Sequence, residues 1–425
     1  MLIDLGPLRR NRDFRALYVG QFVSLVGSMI TYVAIPYQVF ELTHSSLAVG
    51  LLGSVQLVPL LLAALFGGAT ADALDRRRLL LGSELLLAVC SAALAFNAWL
   101  PRPAVWVPFV AAGAMAALNG FHRPALEATT PRLVTREEIP AVATLTSLRG
   151  NIGMIAGPAL GGACIAAFGM PVAYVVDVAT FLVAMAAVST IRAMPAPAGA
   201  RSPGLAAVAE GLRYAGSRAE LVGTYAVDLV AMTFAMPMAL FPAMAVPWGG
   251  ARAAGWLYSA MPIGSLAVSI VSGRAGRVRR HGAAVVVAAG LWGVAIIALG
   301  YAQSLAAAVT LLALAGAADM VSAIYRMTIW NQTIPDALRG RLAGVEMISY
   351  STGPLLGNAR AGWLASVVSP RFSIVSGGWL CVAGVLLCIP LLPGFWRYRA
   401  GETALSEDPA AEPPPEAPAP AGDSA

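Results

Sequence analysis

Residues 46–78 read SLAVGLLGSVQLVPLLLAALFGGATADALDRRR, an apolar run that ends in three consecutive arginines. A helix needs about 20 apolar residues to cross the roughly 30 Å hydrocarbon core of a bilayer, and the apolar part of this stretch, 46–71, is long enough. Pro59 would break a soluble helix, but neighbouring helices can satisfy the freed backbone groups in a membrane bundle. The stretch therefore predicts a membrane-spanning helix followed by a basic loop.

The same pattern of apolar runs recurs along the whole chain. The runs lie at residues 15–40, 46–71, 79–99, 104–122, 140–167, 171–191, 221–246, 253–273, 283–302, 304–328, 341–368 and 371–392. Hydrophobic residues make up 58% of the 425 residues and charged residues only 12%, about half of the charged fraction of an average soluble protein. We therefore predict an all-α membrane protein with twelve transmembrane helices.

The arginines between these runs predict how the chain is oriented. With the N-terminus inside, the internal segments hold the clusters, while the opposite loops hold only Arg102, Arg252 and Arg371. The clusters are Arg9, Arg10 and Arg12; Arg76, Arg77 and Arg78; Arg274, Arg277, Arg279 and Arg280; and Arg339 and Arg341. Because basic loops stay in the cytoplasm, we expect a multi-pass inner-membrane protein with both termini cytoplasmic. The basic balance then reflects topology, and nucleic acid is not an expected partner.

The two halves of the chain carry matching landmarks at one offset of roughly 205 residues. Pro36 corresponds to Pro242, Gly68 with its Arg76–Arg77 pair to Gly273 with Arg279–Arg280, and Arg123 with Thr130–Pro131 to Arg326 with Ile334–Pro335. We therefore predict two six-helix bundles, 1–191 and 221–394, in parallel repetition. A cytoplasmic linker with a short amphipathic helix, 192–220, joins them, and 395–425 is expected to be a disordered, acidic, Pro/Ala-rich tail. Parallel repeats place a transport site near the midplane between the halves.

The loop Gly67-Gly68-Ala-Thr-Ala-Asp72-Ala-Leu-Asp75-Arg76-Arg77-Arg78 resembles the signature loop of the major facilitator superfamily. The resemblance covers Gly68, Asp72, Arg76 and Arg77, and it departs at Ala73 and Asp75. It implies a charge latch on the cytoplasmic face that one conformation makes and another breaks. The alternative is a loop that only fixes the orientation of the chain.

A second motif, Gly153-Met-Ile-Ala-Gly157-Pro158-Ala-Leu-Gly161-Gly162, resembles the antiporter signature of exporting members of that superfamily. Small residues at this spacing clear one helix face for close packing, and a proline permits a bend. The resemblance implies an exporter. A tight helix interface without that role is the alternative, because small residues at this spacing are common in membrane helices.

Three further stretches resemble the enterobactin-exporter-like and macrolide-efflux-like branch of the superfamily. They are Asp177–Phe181, Thr129–Glu138 and Gln332–Arg341. The resemblance implies a secondary transporter that exports a siderophore or other amphiphilic small molecule by proton antiport and alternating access, with macrolide or multidrug efflux as the alternative. Many drug/proton antiporters carry an arginine within the fourth helix, whereas here His122 and Arg123 lie only at the cytoplasmic end of run four.

Polar and charged side chains inside the runs are the candidate site residues. A charge within the bilayer needs a partner, a water-filled cavity or a function, and polar residues at steps of three and four share one helix face. We predict a cavity lined by Gln21, Ser24, Ser28, Tyr32, Arg149, Asp228, Asp319, Ser322 and Arg326. Asp228 and Asp319 are the candidates for proton coupling, and structural ion pairs are the alternative explanation of these charges.

Other functional classes find little support in the sequence. No phosphate-binding Gly-x-x-x-x-Gly-Lys-Ser/Thr loop is present, and the four cysteines fall inside apolar runs without metal spacing. We therefore expect no cofactor, no metal and no enzyme activity, and an ion gradient as the energy source. The expected partners are a small-molecule substrate, protons and the lipid bilayer, and the expected state is a monomer. A non-transporting receptor or an intramembrane enzyme is the remote alternative.

Overall fold

The computed structural model describes residues 4–193, 205–271 and 278–399, and for 64–73, 205–209, 336–337, 339–341 and 343–349 it describes the backbone alone. Regular structure in these residues is helical. The helices are α1 Gly6–Arg10, α2 Arg12–Thr43, α3 Ser46–Ala73, α4 Arg76–Trp99, α5 Trp106–Thr129, α6 Ile139–Phe168, α7 Met170–Ser189, α8 Leu205–Ser217, α9 Ala219–Ala235, α10 Phe241–Ala245, α11 Ala251–Val271, α12 His281–Leu299, α13 Leu305–Thr333, α14 Asp336–Val367, α15 Pro370–Leu391 and α16 Pro393–Arg397. Short 3₁₀ turns lie between several of them.

Ten of the helical segments within the described residues are long and apolar enough to cross a membrane. Helices α5 and α14 have 24 and 32 residues but are not among these ten. The all-α membrane architecture predicted from the sequence is therefore confirmed, and the count of twelve spans stays a prediction.

The helices pack in two groups that follow chain order. In the first, α2 packs against α6 and α7, α3 against α5, and α4 against α5 and α7. In the second, α9 packs against α14 and α15, while α13 packs against α11 and α12. Two extensive contacts cross between the groups, α3 with α14 and α6 with α11. Under the repeat, α3 corresponds to α11 and α6 to α14, so the two crossings are equivalent.

Run seven, predicted as one helix over 221–246, is broken in the structure. Helix α9 ends at Ala235 and Met236 is extended, because a residue before a proline disfavours the helical region. The break frees backbone groups that other helices satisfy: the Ala239 N–H donates to Asn358 Oδ1 at 3.1 Å, and the Met238 carbonyl accepts from Tyr258 Oη at 3.2 Å. The chain then continues through α10 along α11.

The junctions at the linker and the tail differ in part from the prediction. Helix α8 lies within the predicted linker 192–220, whereas 194–204 lies outside the described residues. The predicted start of the solvated tail at residue 395 is wrong, because Phe395 is fully buried and Tyr398 is 8% exposed. Gly223 on α9 leaves the space for the Phe395 ring. Residues 400–425 of the predicted tail lie outside the described residues.

Candidate functional site

A cavity of about 1110 Å³ lies between α2, α3, α5 and α6, and the second half contributes residues near the α9 break and from α11 and α14. Five of the predicted cavity residues line it, namely Gln21, Ser24, Ser28, Tyr32 and Arg149. This volume exceeds the roughly 300–1,000 Å³ that is usual for small-molecule sites. The cavity can therefore hold an organic molecule larger than most drugs.

The cavity is open at one end and closed at the other. At the end of α5 and the start of α6, its lining residues Glu127 and Ile139 are exposed. At the opposite end, Ile35, Val49 and Tyr258 are at most 5% exposed. The open end is the one at the 123–139 segment, which the arginine pattern predicts to be cytoplasmic.

Aromatic side chains cover the closed end of the cavity. The Tyr32 ring meets Tyr258 edge-on with centroids 5.5 Å apart, and Tyr258 meets Phe241 at 5.0 Å. Tyr32 Oη also donates to Met238 Sδ at 3.1 Å. Edge-to-face rings at these distances attract one another, so this cluster joins the first half of the chain to the break after α9.

The glycine motif of α6 lies beyond the cavity and serves two contacts. Gly153, Gly157 and Gly161 face α2, and a Cβ on Gly161 would stand 2.9 Å from the Cα of Ile30. Real Cβ atoms essentially never come within 3.0 Å of a neighbouring heavy atom, so a side chain there would displace α2.

The other side of the same motif faces α11 in the second half. A Cβ on Gly162 would lie 2.4 Å from the Ala251 carbonyl oxygen and 2.8 Å from the Cα of Gly255. Gly255 in turn approaches the carbonyl of Pro158. One hydrogen bond supports this contact, from Ser259 Oγ to the Ile155 carbonyl at 2.7 Å. The motif thus forms the α6–α11 contact between the halves.

In the contact between α3 and α14, glycines also allow the two backbones to approach closely. A Cβ on Gly50 would lie 2.6 Å from the Asn358 carbonyl oxygen and 3.0 Å from the Cα of Gly362. Backbone therefore touches backbone in both crossings, which we call the α6–α11 seam and the α3–α14 seam.

The arginines of the signature loop are held by helix C-termini. Arg76, 6% exposed, donates from Nη1 to the Ala128 carbonyl at 3.2 Å, and Arg77 donates to the Ser189 carbonyl. Carbonyls at helix ends lack helical partners and carry partial negative charge. Asp75, where the family usually has glycine, caps α4 by accepting from the Arg78 N–H at 3.0 Å. Of the predicted latch, the side-chain surroundings of Gly68 and Asp72 lie outside the described residues.

The predicted charges of the second half form an ion-pair network between α9 and α13. Arg326 pairs with Asp228, and its Nη2 lies 3.5 Å from Asp319 Oδ1. Ser322, 4% exposed, lies one turn from Arg326 on α13. The described lining of the large cavity does not include these four residues.

Arg149 is the cavity-lining guanidinium that has no carboxylate partner among the described ion pairs. Its guanidinium carbon lies 5.9 Å from the centroid of the Tyr18 ring, and its buried Nε has no hydrogen-bond partner in the described residues. Arg123, the second arginine of the lining, is paired with Glu127 at 3.0 Å. Within the described lining, Arg149 is therefore a positive charge that a ligand can neutralise.

Two buried carboxylates at the cavity were not among the predicted site residues: Asp177 is part of the lining, and Glu84 lies behind it. Glu84 Oε1 lies 3.1 Å from His122 Nε2 and accepts from Gln21 Nε2 at 2.8 Å. Asp177 Oδ2 accepts from Thr31 Oγ1 at 2.6 Å and from Ser91 Oγ at 2.7 Å. The sequence marks both acids as intramembrane charges, but their partners lie on other helices.

Comparison with known proteins places the chain among secretion transporters. The profile of a family described as transmembrane secretion effector, within the major facilitator superfamily, matches residues 3–408. The enterobactin exporter EntS of Citrobacter koseri is 29% identical over 406 residues, covering 94% of this chain and 96% of the relative. EntS of Shigella boydii serotype 18 is 29% identical over 399 residues, covering 92% and 94%.

Solved structures share the fold at low sequence identity. A POT family transporter in complex with 5-aminolevulinic acid superposes with a TM-score of 0.71 at 10% identity, over 91% of this chain and 97% of that one. The peptide transporter POT in complex with sulfate gives 0.73 at 11% identity, over 92% and 96%. At such identity the likeness establishes the fold alone.

Proposed function

Because the chain belongs to the transmembrane secretion effector family of the major facilitator superfamily, we propose that it exports an anionic, amphiphilic siderophore of the catecholate type. The relatives named as enterobactin exporters match over nearly the whole chain. The protein is a multi-pass membrane transporter of small molecules. The proposal adds the class of substrate and the coupling to protons.

The observation that carries this proposal is the position of Arg149. A guanidinium within the membrane has to be compensated by a partner or a cavity, and Arg149 lies in a large cavity without a carboxylate partner among the described residues. Guanidinium groups bind anionic oxygens with charge-assisted hydrogen bonds. The rings of Tyr32 and Tyr258, which also line the cavity, suit the aromatic rings of a catecholate.

Efflux of lipophilic drugs is the second candidate function, and the methionines of the cavity favour it. Met29, Met115, Met154, Met236 and Met238 line the cavity. Methionine is flexible and polarisable, and promiscuous binding surfaces are rich in it. A site built this way could accept neutral apolar molecules that do not need Arg149.

The proposed cycle is alternating access by a monomer, with both termini in the cytoplasm. The two bundles, 1–191 and 221–394, move against each other around the cavity, while 192–220 links them. The cavity is open at the 123–139 end, which supports assigning it, in the proposed orientation, to the state that loads substrate from the cytoplasm. Opening the other end requires the α6–α11 and α3–α14 seams to part and the Tyr32–Tyr258 contact to break.

Inward movement of protons is the proposed energy source. Asp228 and Asp319 were the carboxylates expected to carry them, and both lie at Arg326. Protonation of either acid would leave Arg326 with one carboxylate fewer, which gives the α9–α13 contact two charge states. A role in coupling thus predicts that D228N or D319N abolishes gradient-dependent export.

Export by cells tests the proposed function. The accumulation of labelled enterobactin and of a panel of lipophilic drugs is compared in cells with and without the protein, before and after a protonophore collapses the gradient. We expect enterobactin to accumulate in cells that lack the protein, and in both strains after collapse. If neither substrate class accumulates more without the protein, the export proposal fails.

The variants R149Q and R123Q separate the two candidate functions. Both arginines line the cavity, but within the described residues only Arg123 has a carboxylate partner, Glu127. A hydrogen bond to a charged group contributes about 1.5–3 kcal/mol, so R149Q should weaken enterobactin export about 10-fold or more and R123Q much less. Neutral drugs should be exported equally by both variants. Equal enterobactin export by R149Q and wild type would refute the anion-binding role.

A further inference from the structure

Glu84 is a fully buried acid. Among the described residues, His122 is the one ionisable side chain within ion-pair distance of it. Glu84 lies on α4 with 0% exposure. Its Oε1 accepts from Gln21 and lies 3.1 Å from His122 Nε2, while Oε2 accepts from Ser24 Oγ at 3.3 Å. A buried carboxylate has to be paired, hydrogen-bonded or protonated. A protonated histidine forms an ion pair with the carboxylate, whereas a neutral histidine can only donate a hydrogen bond to it.

The surroundings of Glu84 contain a second acid and no further cation among the described contacts. His122 faces it from α5, and α2 contributes the amide and hydroxyl of Gln21 and Ser24. From α7, Asp177 interacts electrostatically with Glu84. Described residues 46–63 of α3 include no ionisable side chain. Among the described contacts, Glu84 thus has one histidine and Asp177 has only hydroxyl partners, so the two acids are short of positive charge unless they take up protons.

The two acids are arranged as a ladder between α2 and α4. Ser24 binds Glu84 and Thr31 binds Asp177, while Glu84 and Ser91 lie on α4 at the same separation of two helical turns. Two turns are about 11 Å along the axis. At that distance in a low-dielectric wall two ionised carboxylates still repel each other.

His122 connects this cluster to water. It lines the cavity and is 9% exposed, whereas Glu84 is fully buried behind it. A proton that enters the open cavity therefore meets the imidazole first. The imidazole has two nitrogens, and Nε2 is the one that contacts Glu84. The order cavity, His122, Glu84 is the geometry of a proton relay.

We propose that the Glu84–His122 pair is a second proton-carrying site of this transporter, beside the Asp228–Asp319–Arg326 network, a proposal that rests on the export function proposed above. A hydronium ion in the cavity gives its proton to Nδ1 of His122. The Nε2–H bond then breaks and an O–H bond forms at Glu84 Oε1, which leaves the imidazole neutral. Release into the cavity is the reverse sequence, so the pair passes one proton each time it is charged and discharged.

The charge of Glu84 reaches the seam between the halves through α2. Hydrogen bonds to an ionised acceptor are roughly twice as strong as neutral ones, so protonation of Glu84 loosens the hold of Gln21 and Ser24 on α4. On its other side α2 packs against Gly157 and Gly161 of α6, the helix that forms the α6–α11 seam. Proton uptake thus acts on a helix that touches the closed end of the cavity.

Infrared difference spectroscopy on the purified full-length protein tests the site without any substrate. Spectra at acidic and alkaline pH are compared in H₂O and D₂O for wild type, E84Q, H122Q and the control E137Q, which removes an exposed acid. We expect a titrating carboxyl C=O band that E84Q lacks, that E137Q keeps and whose titration midpoint H122Q shifts. If E84Q does not fold, the H122Q midpoint decides. A band unchanged in both E84Q and H122Q would overturn the proposal.

Transport in proteoliposomes then tests coupling. Labelled enterobactin is moved either by an imposed pH gradient or by exchange against unlabelled enterobactin without a gradient. E84Q should lose the gradient-driven component and keep the exchange, since exchange needs no net proton movement. If E84Q folds as the wild type does but loses both gradient-driven transport and exchange, Glu84 has a structural role and the proposal is overturned. If the wild-type protein moves no enterobactin, the substrate proposal fails. The infrared spectra still test whether Glu84 and His122 exchange a proton.

Discussion

The substitution G162A tests whether the α6–α11 seam holds the cavity closed at the Tyr32–Tyr258 end. A Cβ at this position meets the Ala251 carbonyl oxygen at 2.4 Å and the Gly255 Cα at 2.8 Å. Both are backbone atoms, so no flexible side chain can give way. The added methyl group therefore has to push α6 and α11 apart.

The size of the effect follows from overpacking. Inserting a methyl group into a close-packed contact costs about 1–3 kcal/mol, and the cost falls only on the state in which the seam is closed. The gain in helix propensity on changing glycine to alanine, about 1 kcal/mol, is the same in both states and cancels. The ratio of seam-open to seam-closed molecules should thus rise about 5- to 150-fold.

Cysteine accessibility measures this shift. Ile35 lines the closed end of the cavity and is 5% exposed, so I35C reports its opening in a chain whose four native cysteines have been replaced. Intact cells are treated with a membrane-impermeant maleimide, and G162A should raise the labelling rate by the factor above. Gly150 on the same helix has no atom within 4 Å of an added Cβ, so G150A is the matched control. If G162A and G150A label at the same rate, the seam does not hold this end closed.

Three further predictions follow from the contacts between helices. G50A should open the α3–α14 seam and raise I35C labelling as G162A does, because its Cβ would meet backbone at 2.6 Å. S259A should shift the same equilibrium about 5-fold, since it removes one hydrogen bond of about 1 kcal/mol across the α6–α11 seam; unaltered labelling would contradict this. D228N should lower the free energy of unfolding in detergent by about 3 kcal/mol, because it removes the nearer of two carboxylates from the buried guanidinium of Arg326. The Asp319 carboxylate is 36% exposed and lies 3.5 Å from the guanidinium. D319N should therefore lower the free energy of unfolding by about 1 kcal/mol or less. Equal losses in D228N and D319N would refute the assignment of Asp228 as the main partner of Arg326.

The architecture could be predicted from the sequence because the local composition of a segment is enough to identify a membrane span. Runs of about 20 apolar residues and arginine-rich loops need no knowledge of tertiary contacts. The break at Pro237 was missed because prolines elsewhere, such as Pro158, lie within continuous helices. A helix can break at a proline where other side chains bind the freed backbone groups, as Asn358 and Tyr258 do after Pro237. Such contacts between helices cannot be read from local sequence.

The candidate site was predictable only as far as single helices allow. Steps of three and four placed Gln21, Ser24 and Tyr32 on one face of α2, and the structure has them at the cavity. Which charges pair depends on the register between helices, which local periodicity does not contain. The meeting of Glu84 on α4 with His122 on α5 is such a case.

Helix α2 has contacts that could join chemistry to movement. Along one face, Gln21 and Thr31 bind the buried carboxylates of the first half, and along another, Ile30 touches Gly161 of α6. Tyr32 reaches the second half at the closed end. A change of charge at Glu84 and a change of packing at Gly161 therefore both act on α2, a single continuous helix of 32 residues. If the Glu84–His122 pair carries the proton, E84Q should therefore alter I35C labelling in the absence of any substrate.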